Sequence, residues 1–356
     1  TCRLSYAKTP QCWPISIRFS ITIFSASAAL TLVMGLLTFL GLRRENQWER
    51  LTLLDQLLLS PLTFITVRLY HIFLFLRGQP FVPPRGKPAI RVVCISDTHD
   101  QVVDIPAGDI LIHAGDLTNS GTAEDIQKQL DWLKSQPHQV KIVVCGNHDS
   151  WFDSRSRLDP DVKAGAVVNL EGLHYLESGL TVQEIHGRKL TIFGVPDIPE
   201  CGPESFAFQY EPTNSPWFSR IPPQTDILVT HCPPKHHLDL GLGDPNLLKE
   251  LWRVKPRLHV FGHVHWGYGK ESIFFDDMQL AYERLLSRPT RGPFWDFVPN
   301  AAWWDHFYVL LHGVHAVLWK WIMGGPGSNQ GGLLVNAAQM YGSTGKVKNR
   351  AVVVDI

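Results

Sequence analysis

Five short apolar runs in this chain each stop on a polar cluster of Asp, Asn or His, and that repetition narrows the folds open to it. Ala89–Ser96 ends in Asp97-Thr98-His99, Asp109–His113 runs on to Gly115-Asp116, and Val140–Cys145 ends in Gly146-Asn147-His148-Asp149. Asp226–Thr230 stops at His231, and Leu258–Phe261 stops at Gly262-His263-Val264-His265. Short apolar runs bounded by turn residues read as buried strands. Leu190–Val195 and the C-terminal Ala351–Ile356 read the same way. Helical signals lie between them. Thr122–Gln136 has helical periodicity with Thr122 and Asp125 spaced as a capping box, and Asp244-Pro245 opens a helix through Val254. Strands alternating with helices argue for a layered α/β domain, in which ligands gather beyond the carboxyl ends of the strands.

The clusters have the composition of metal ligands. Asp and Asn offer oxygen and His offers imidazole nitrogen, a mixture that suits Mn, Fe, Zn or Ni better than Ca or Mg. Asp-x-His and His-x-His put alternate residues on one side of an extended segment, so one strand end supplies two ligands. A single histidine of this kind is usually a hydrogen-bonded core residue; five clusters at five strand ends are not explained that way. Net charge is zero, with 33 basic and 33 acidic side chains, so there is no basic excess for binding a nucleic-acid duplex.

In order, Asp-x-His, Gly-Asp, Gly-Asn-His-Asp, a strand-terminal His and Gly-His-x-His between Arg91 and Tyr268 resemble the calcineurin-like metallophosphoesterase superfamily. Val-Cys-Ile-Ser-Asp-Thr-His, His-Ala-Gly-Asp-Leu-Thr and Gly-His-Val-His-Trp-Gly-Tyr-Gly are similar to the eukaryotic subgroup of brain and fetal metallophosphoesterases, which is associated with cyclic-nucleotide phosphodiesterase activity. The resemblance implies a four-layer sandwich, two central β-sheets flanked by helices. It implies that Asp97, His99 and His265 bind one divalent or trivalent metal, that Asn147, His231 and His263 bind a second, and that Asp116 bridges them. It implies that a metal-bridging hydroxide attacks a phosphate ester in line, that His148 protonates the leaving group, and that Asp149 orients His148. A protein phosphatase, or a non-catalytic scaffold binding a nucleotide or a partner on the same fold, is the alternative. Tyr268, between two glycines, and His236, after Thr-His-Cys-Pro-Pro, are candidate substrate contacts.

The remaining sequence sets up a membrane expectation. Phe19–Leu42 carries no charged side chain over 24 residues, and as a helix would span about 36 Å, enough for a bilayer core of ~30 Å. A cleaved signal peptide has a shorter apolar region, so residues 1–50 read as a flank and a single-pass anchor with its span at 19–42. Three basic residues on each side leave orientation open, and six unpatterned cysteines favour a reducing compartment, so the catalytic domain is expected in the cytosol. Residues 51–77 read as an amphipathic or interfacial helix, or as one packed on the enzyme. Residues 78–88, with four prolines and two glycines, read as a stiff linker before the domain at 89–356. Between Gly269 and Leu333 lie 63 residues rich in aromatics, an insertion at 270–332 that reads as a lid, a membrane-contacting helix or ordinary packing.

Overall fold

The computed structural model describes residues 31–46, 48–83, 86–322 and 331–356. Strands β1 (Arg91–Ile95), β2 (Ile110–Ala114), β3 (Val140–Val144) and β4 (His174–Tyr175) form one sheet with the C-terminal β13 (Val352–Asp355), in the order β13-β1-β2-β3-β4. The hairpin β5 (Gly179–Ile185) and β6 (Arg188–Val195) joins β9 (Ile227–Thr230), β10 (Leu258–Phe261), β11 (Gly269–Ile273) and β12 (Gly332–Asn336) in a second sheet, ordered β11-β12-β10-β9-β6-β5. Two short strands, β7 (Ile198–Pro199) and β8 (Gln209–Tyr210), pair apart from both.

Strand periodicity builds the layers. Val92, Cys94, Ile110, Ile112, Ile142 and Val144 point inward from the first sheet and meet Ile192, Ile227, Val229, Leu258, Val260 and Val335 of the second in one buried core. The alternate residues Val93, Ile95, Leu111 and Val143 face outward and pack against Ile126, Leu130 and Leu133 of a helix at Ala123–Lys134. Leu228, Phe261 and Leu334 do the same against Leu247 and Leu251 of the helix at Pro245–Val254. Two sheets face to face with a helix on each outer side make four layers. Asp244 caps its helix by accepting from Asn246 N and Leu247 N, with Pro245 at the first helical position, as the sequence predicts.

The helices take labels in chain order: α1 (Leu53–Leu59), α2 (Pro61–Arg77), α3 (Ala123–Lys134), α4 (Asp159–Ala164), α5 (Pro245–Val254), α6 (Asp277–Leu286), α7 (Pro293–Asp296) and α8 (Ala301–Ile322). The single helix expected over 51–77 is therefore two. Ser60 ends α1, and its side chain caps α2 by accepting from Thr63 N while Pro61 takes the first helical position. α2 packs on the domain: Tyr70, Phe73 and Leu74 join Met278, Ala281 and Tyr282 of α6 and Val309 of α8 in a separate core. A Cβ on Gly313 would lie 2.3 Å from the Phe73 ring, so α2 and α8 cross too closely for a side chain there. The expected linker is also tied down, with Phe81 buried in the inter-sheet core.

A buried polar network fixes this helical layer to the domain. His237 meets Glu271 of β11 at Nδ1 (3.1 Å) and Glu283 of α6 at Nε2 (3.2 Å). Glu283 also accepts from Trp252 Nε1 of α5 (2.8 Å) and Gln279 Nε2 (2.8 Å), and Gln279 in turn accepts from Tyr70 of α2. Burial opposes a charged imidazole, but the two glutamates outweigh it and carry His237 from 6.5 up to about 10. A group raised on folding adds stability that is complete below its unfolded pKa and is lost as pH climbs through the folded value. The melting-temperature advantage of the wild type over His237→Gln should therefore shrink between about pH 6.5 and pH 10. A constant difference over that range would mean His237 is not charged.

Candidate metal centre

Parallel pairing brings the five polar clusters to one edge. β1, β2 and β3 run parallel in the first sheet, β9 and β10 in the second, and all five end toward the same side. Just past those ends the backbone turns sharply, with positive φ at Asp97 (52°), His99 (45°), Asp116 (53°) and His263 (64°), a region uncommon outside glycine and concentrated at functional sites. The glycines of the motifs are explained by contact. A Cβ on Gly146 would stand 2.3 Å from Asp116 Oδ1, and one on Gly262 would stand 2.1 Å from Asp97 Oδ2.

Three sets of groups converge within 4.8 Å: Asp97, His99 and His265; Asp116, His231 and His263; and His99, Asp116 and His148. Asn147 adds an amide oxygen 3.0 Å from both His231 Nε2 and His263 Nδ1. All seven expected ligands are thus brought together, with Asp116 Oδ2 between His99 Nε2 (3.6 Å) and His231 Nε2 (3.4 Å).

The hydrogen bonds test whether this set fits a cation. Nδ1 of His231 lies 3.0 Å from Ala114 O, and Nδ1 of His265 lies 2.9 Å from Gly342 O. A carbonyl only accepts, so each Nδ1 carries the proton and each Nε2 keeps a lone pair. Those lone pairs face oxygens: Asn147 Oδ1 and Asp116 Oδ2 for His231, and Asp97 Oδ1 at 3.2 Å for His265. Electron pair facing electron pair needs positive charge between. With protons alone to supply it, Asp116 overcomes the burial of His231 and raises it to about 9, while Asp97, despite burial, falls to about 2 beside His265. The donor set of imidazoles, carboxylates and an amide oxygen fits a metal pair of the Mn, Fe, Zn or Ni type.

Support comes from residues outside the ligand set. His113 and His259 sit inside β2 and β10, wholly buried, and their Nε2 atoms bond the hydroxyls of Thr98 (3.0 Å) and Thr230 (2.8 Å). Burial lowers both to about 3, so each is a neutral strut under a ligand loop. Asn336 of β12 donates to Val264 O (2.9 Å) and Leu238 O (3.2 Å), holding the Gly-His-Val-His turn.

Three expectations need correction. Asp149 does not orient His148. Its carboxylate accepts from Gly146 N (2.8 Å), Thr118 N (3.1 Å) and Leu117 N (3.2 Å), so it staples two ligand loops together. Burial and the Asp116 charge push it up to about 7, while those donors favour its ionised form. His148 is oriented by main chain, with Nδ1 at Asn119 O (3.2 Å) and its own N–H on Asp116 Oδ1 (2.9 Å). Tyr268 lies outside the site cavity and donates from its hydroxyl to Arg350 O (2.9 Å). His236 also lies outside it, with Nε2 at Ser287 Oγ (2.8 Å). Among the described residues of 270–332 none lines the cavity, and α6 and α8 pack on α2.

The family model described as calcineurin-like phosphoesterase matches residues 90–267, the stretch from β1 to the last ligand turn. This chain belongs to the calcineurin-like phosphoesterase family. It is 38% identical over 202 residues to UPF0046 protein K07C11.7 of Caenorhabditis elegans, covering 52% of this chain and 67% of that one. It is 36% identical over 211 residues to human Metallophosphoesterase domain-containing protein 1, covering 53% and 65%. Over 271 residues it is 41% identical to a protein of Emericella nidulans named Probable rhamnogalacturonate lyase C, covering 75% of this chain and 24% of that one. The chain thus spans about a quarter of that fungal relative and about two thirds of the other two. Within a calcineurin-like phosphoesterase, the clustered Asp, Asn and His groups are candidate metal ligands and a phosphate ester is the implied substrate class.

Proposed function

We propose that this chain is a phosphodiesterase with a binuclear metal centre, tethered to a membrane by its N-terminal region, with the catalytic domain in the cytosol. Asp97, His99 and His265 would hold one ion, Asn147, His231 and His263 would hold the other, and Asp116 would serve both. The ion pair, when bound, activates water and clamps phosphoryl oxygens. In the net reaction water adds to phosphorus, one phosphorus–oxygen bond breaks, and a phosphomonoester and an alcohol leave. His148 delivers the proton to the departing alcohol. Its fixed Nδ1 leaves Nε2 for that transfer, and its ring is held between His99 and Phe206, with centroids 5.0 and 4.7 Å away. The observation that carries this reading is the sharing of Asp116 by two ligand sets, with His148 beside it on one cavity.

The tether rests on the uncharged run Phe19–Leu42. Residues 19–30 fall outside the described residues, and 31–39 are helical. Among the described residues, no helix is long and apolar enough to cross a membrane. On α8, Trp319 and Trp321 stay at least 45% exposed and stand outside the core that α8 forms through Val309, which supports contact with a lipid headgroup zone.

Purified protein should be screened for metal content and for hydrolysis of cyclic nucleotides, aryl phosphodiesters and phosphopeptides. Turnover of a diester with about two metals per chain is the expected result; turnover of phosphopeptides alone would make it a protein phosphatase, and no turnover with metals bound would make it a scaffold. The full chain should resist carbonate extraction, and a chain starting at residue 51 should not. That start keeps α2, whose Tyr70, Phe73 and Leu74 share a core with α6 and α8. In that shorter chain, Trp319→Ser with Trp321→Ser should weaken liposome binding at an unchanged melting temperature.

A further inference from the structure

The ligands account for the phosphate and leave the alcohol unexplained. The site opens into a cavity of about 650 Å³, within the size range that buries a small-molecule ligand. Beyond the ligands its wall is largely apolar, with Trp48, Ile198, Phe206, Leu242, Trp266 and Met340 outnumbering the polar Asn119, Glu200 and Ser343. Among the described lining residues none is Lys or Arg, and the charged side chains are Asp116 and Glu200. A second anionic group on the substrate would have no cation to meet there, and would meet Glu200. Such a wall binds hydrocarbon through dispersion and the release of water.

Trp48 links this wall to the apolar N-terminal segment. Arg50, two residues on, donates to the carbonyls of Trp266 and Tyr268, which pins the segment to the rim of the metal site. Arg43 Nε holds Asp55 Oδ1 of α1 at 2.8 Å, and Thr52 Oγ1 donates to Leu42 O at 2.6 Å. The helical stretch 31–39, with Leu32, Leu36 and Phe39 exposed, therefore leads straight to the cavity mouth. At the other end of α1, Ser60 Oγ donates to Asp296 of α7 (2.7 Å), next to the exposed rings of Phe294 and Phe297.

We infer that the substrate is a phosphodiester with an aliphatic alcohol, of the kind a bilayer lipid supplies, whose chain lies along Trp48 and Leu242. This rests on the phosphodiesterase reading above and goes beyond it in naming the substrate's apolar half. Hydrolysis would release that alcohol or its monoester at the lipid surface.

The test uses the full chain and p-nitrophenyl alkyl phosphodiesters with methyl, butyl and octyl groups, kept below their aggregation limits, with cyclic AMP as a further arm. Release of p-nitrophenol is read for each ester. A fully buried methylene is worth about fourfold in binding, so kcat/KM should rise roughly 50-fold from methyl to butyl and then level off. Trp48→Ala, and independently Leu242→Ser, should lower the butyl-to-methyl ratio several-fold. A flat series with the methyl ester still turned over would overturn the inference and leave the phosphodiesterase standing. Cyclic AMP outpacing every alkyl ester over a flat series would assign the cavity to a nucleobase. Loss of turnover on all esters, with metals bound, would overturn the phosphodiesterase reading itself.

Discussion

Asp116→Ala should abolish turnover, by about 10⁴-fold or more, and lower bound metal from about two per chain to one or none. Asp116 is the only carboxylate in two of the three convergent sets, with Oδ2 3.6 Å from His99 Nε2 and 3.4 Å from His231 Nε2. Its other oxygen accepts from His148 N at 2.9 Å, so the substitution also frees the loop that carries Asn147 and His148. Both halves of the centre lose a ligand, and the repulsion among the facing lone pairs is left with less charge to hold a cation. Elemental analysis after reconstitution decides the matter. A variant that keeps two metals would show that Asp116 is not shared, and a wild type holding one metal or fewer would end the binuclear reading.

His148→Asn should act differently. Metal content should stay at the wild-type level, because the bond from residue 148 to Asp116 is made by the backbone N–H and survives the change. Turnover of esters with poor leaving groups should fall about 10²–10⁴-fold, the usual contribution of a positioned proton donor. Aryl esters such as p-nitrophenyl diesters should lose much less, since their leaving oxygen departs without a proton. An equal loss across leaving groups would make His148 a phosphate-binding residue.

The ligands were legible because each ends a strand. A buried parallel strand must be apolar, so the first polar residue after it marks the sheet edge, and chemistry collects there. What tunes those ligands was mostly hidden. Asn119 holds His148 through a backbone carbonyl, which leaves no mark in the sequence, whereas Asp149 carries the side chain that looked fit for that role and spends it on three backbone N–H groups. Leu190–Val195 was read as a strand, but its hairpin partner β5 went unread because it alternates with a half-polar face, although His186-Gly187, both at positive φ, is the kind of two-residue turn that joins such strands. Ser60-Pro61 marked the break between α1 and α2 with equal clarity. Apolar helices pose the harder problem. Composition does not distinguish a face turned to lipid from one turned to another helix, and α2 and α8 are largely each other's neighbours. No periodicity could have put Trp48 in the wall of a cavity whose ligands begin 49 residues later.

The position of β12 in its sheet has a consequence in time. It lies between β10 and β11, and its Asn336 braces the turn that carries His263 and His265. Yet it is made about seventy residues after that turn, a delay of roughly 4–14 s at ordinary rates of synthesis. Until it arrives, β10 has an open edge and the Gly-His-Val-His turn lacks its brace, so the histidine that turn gives to each half of the centre settles last. A nascent chain should therefore gain its full affinity for metal only after residue 336 has left the ribosome.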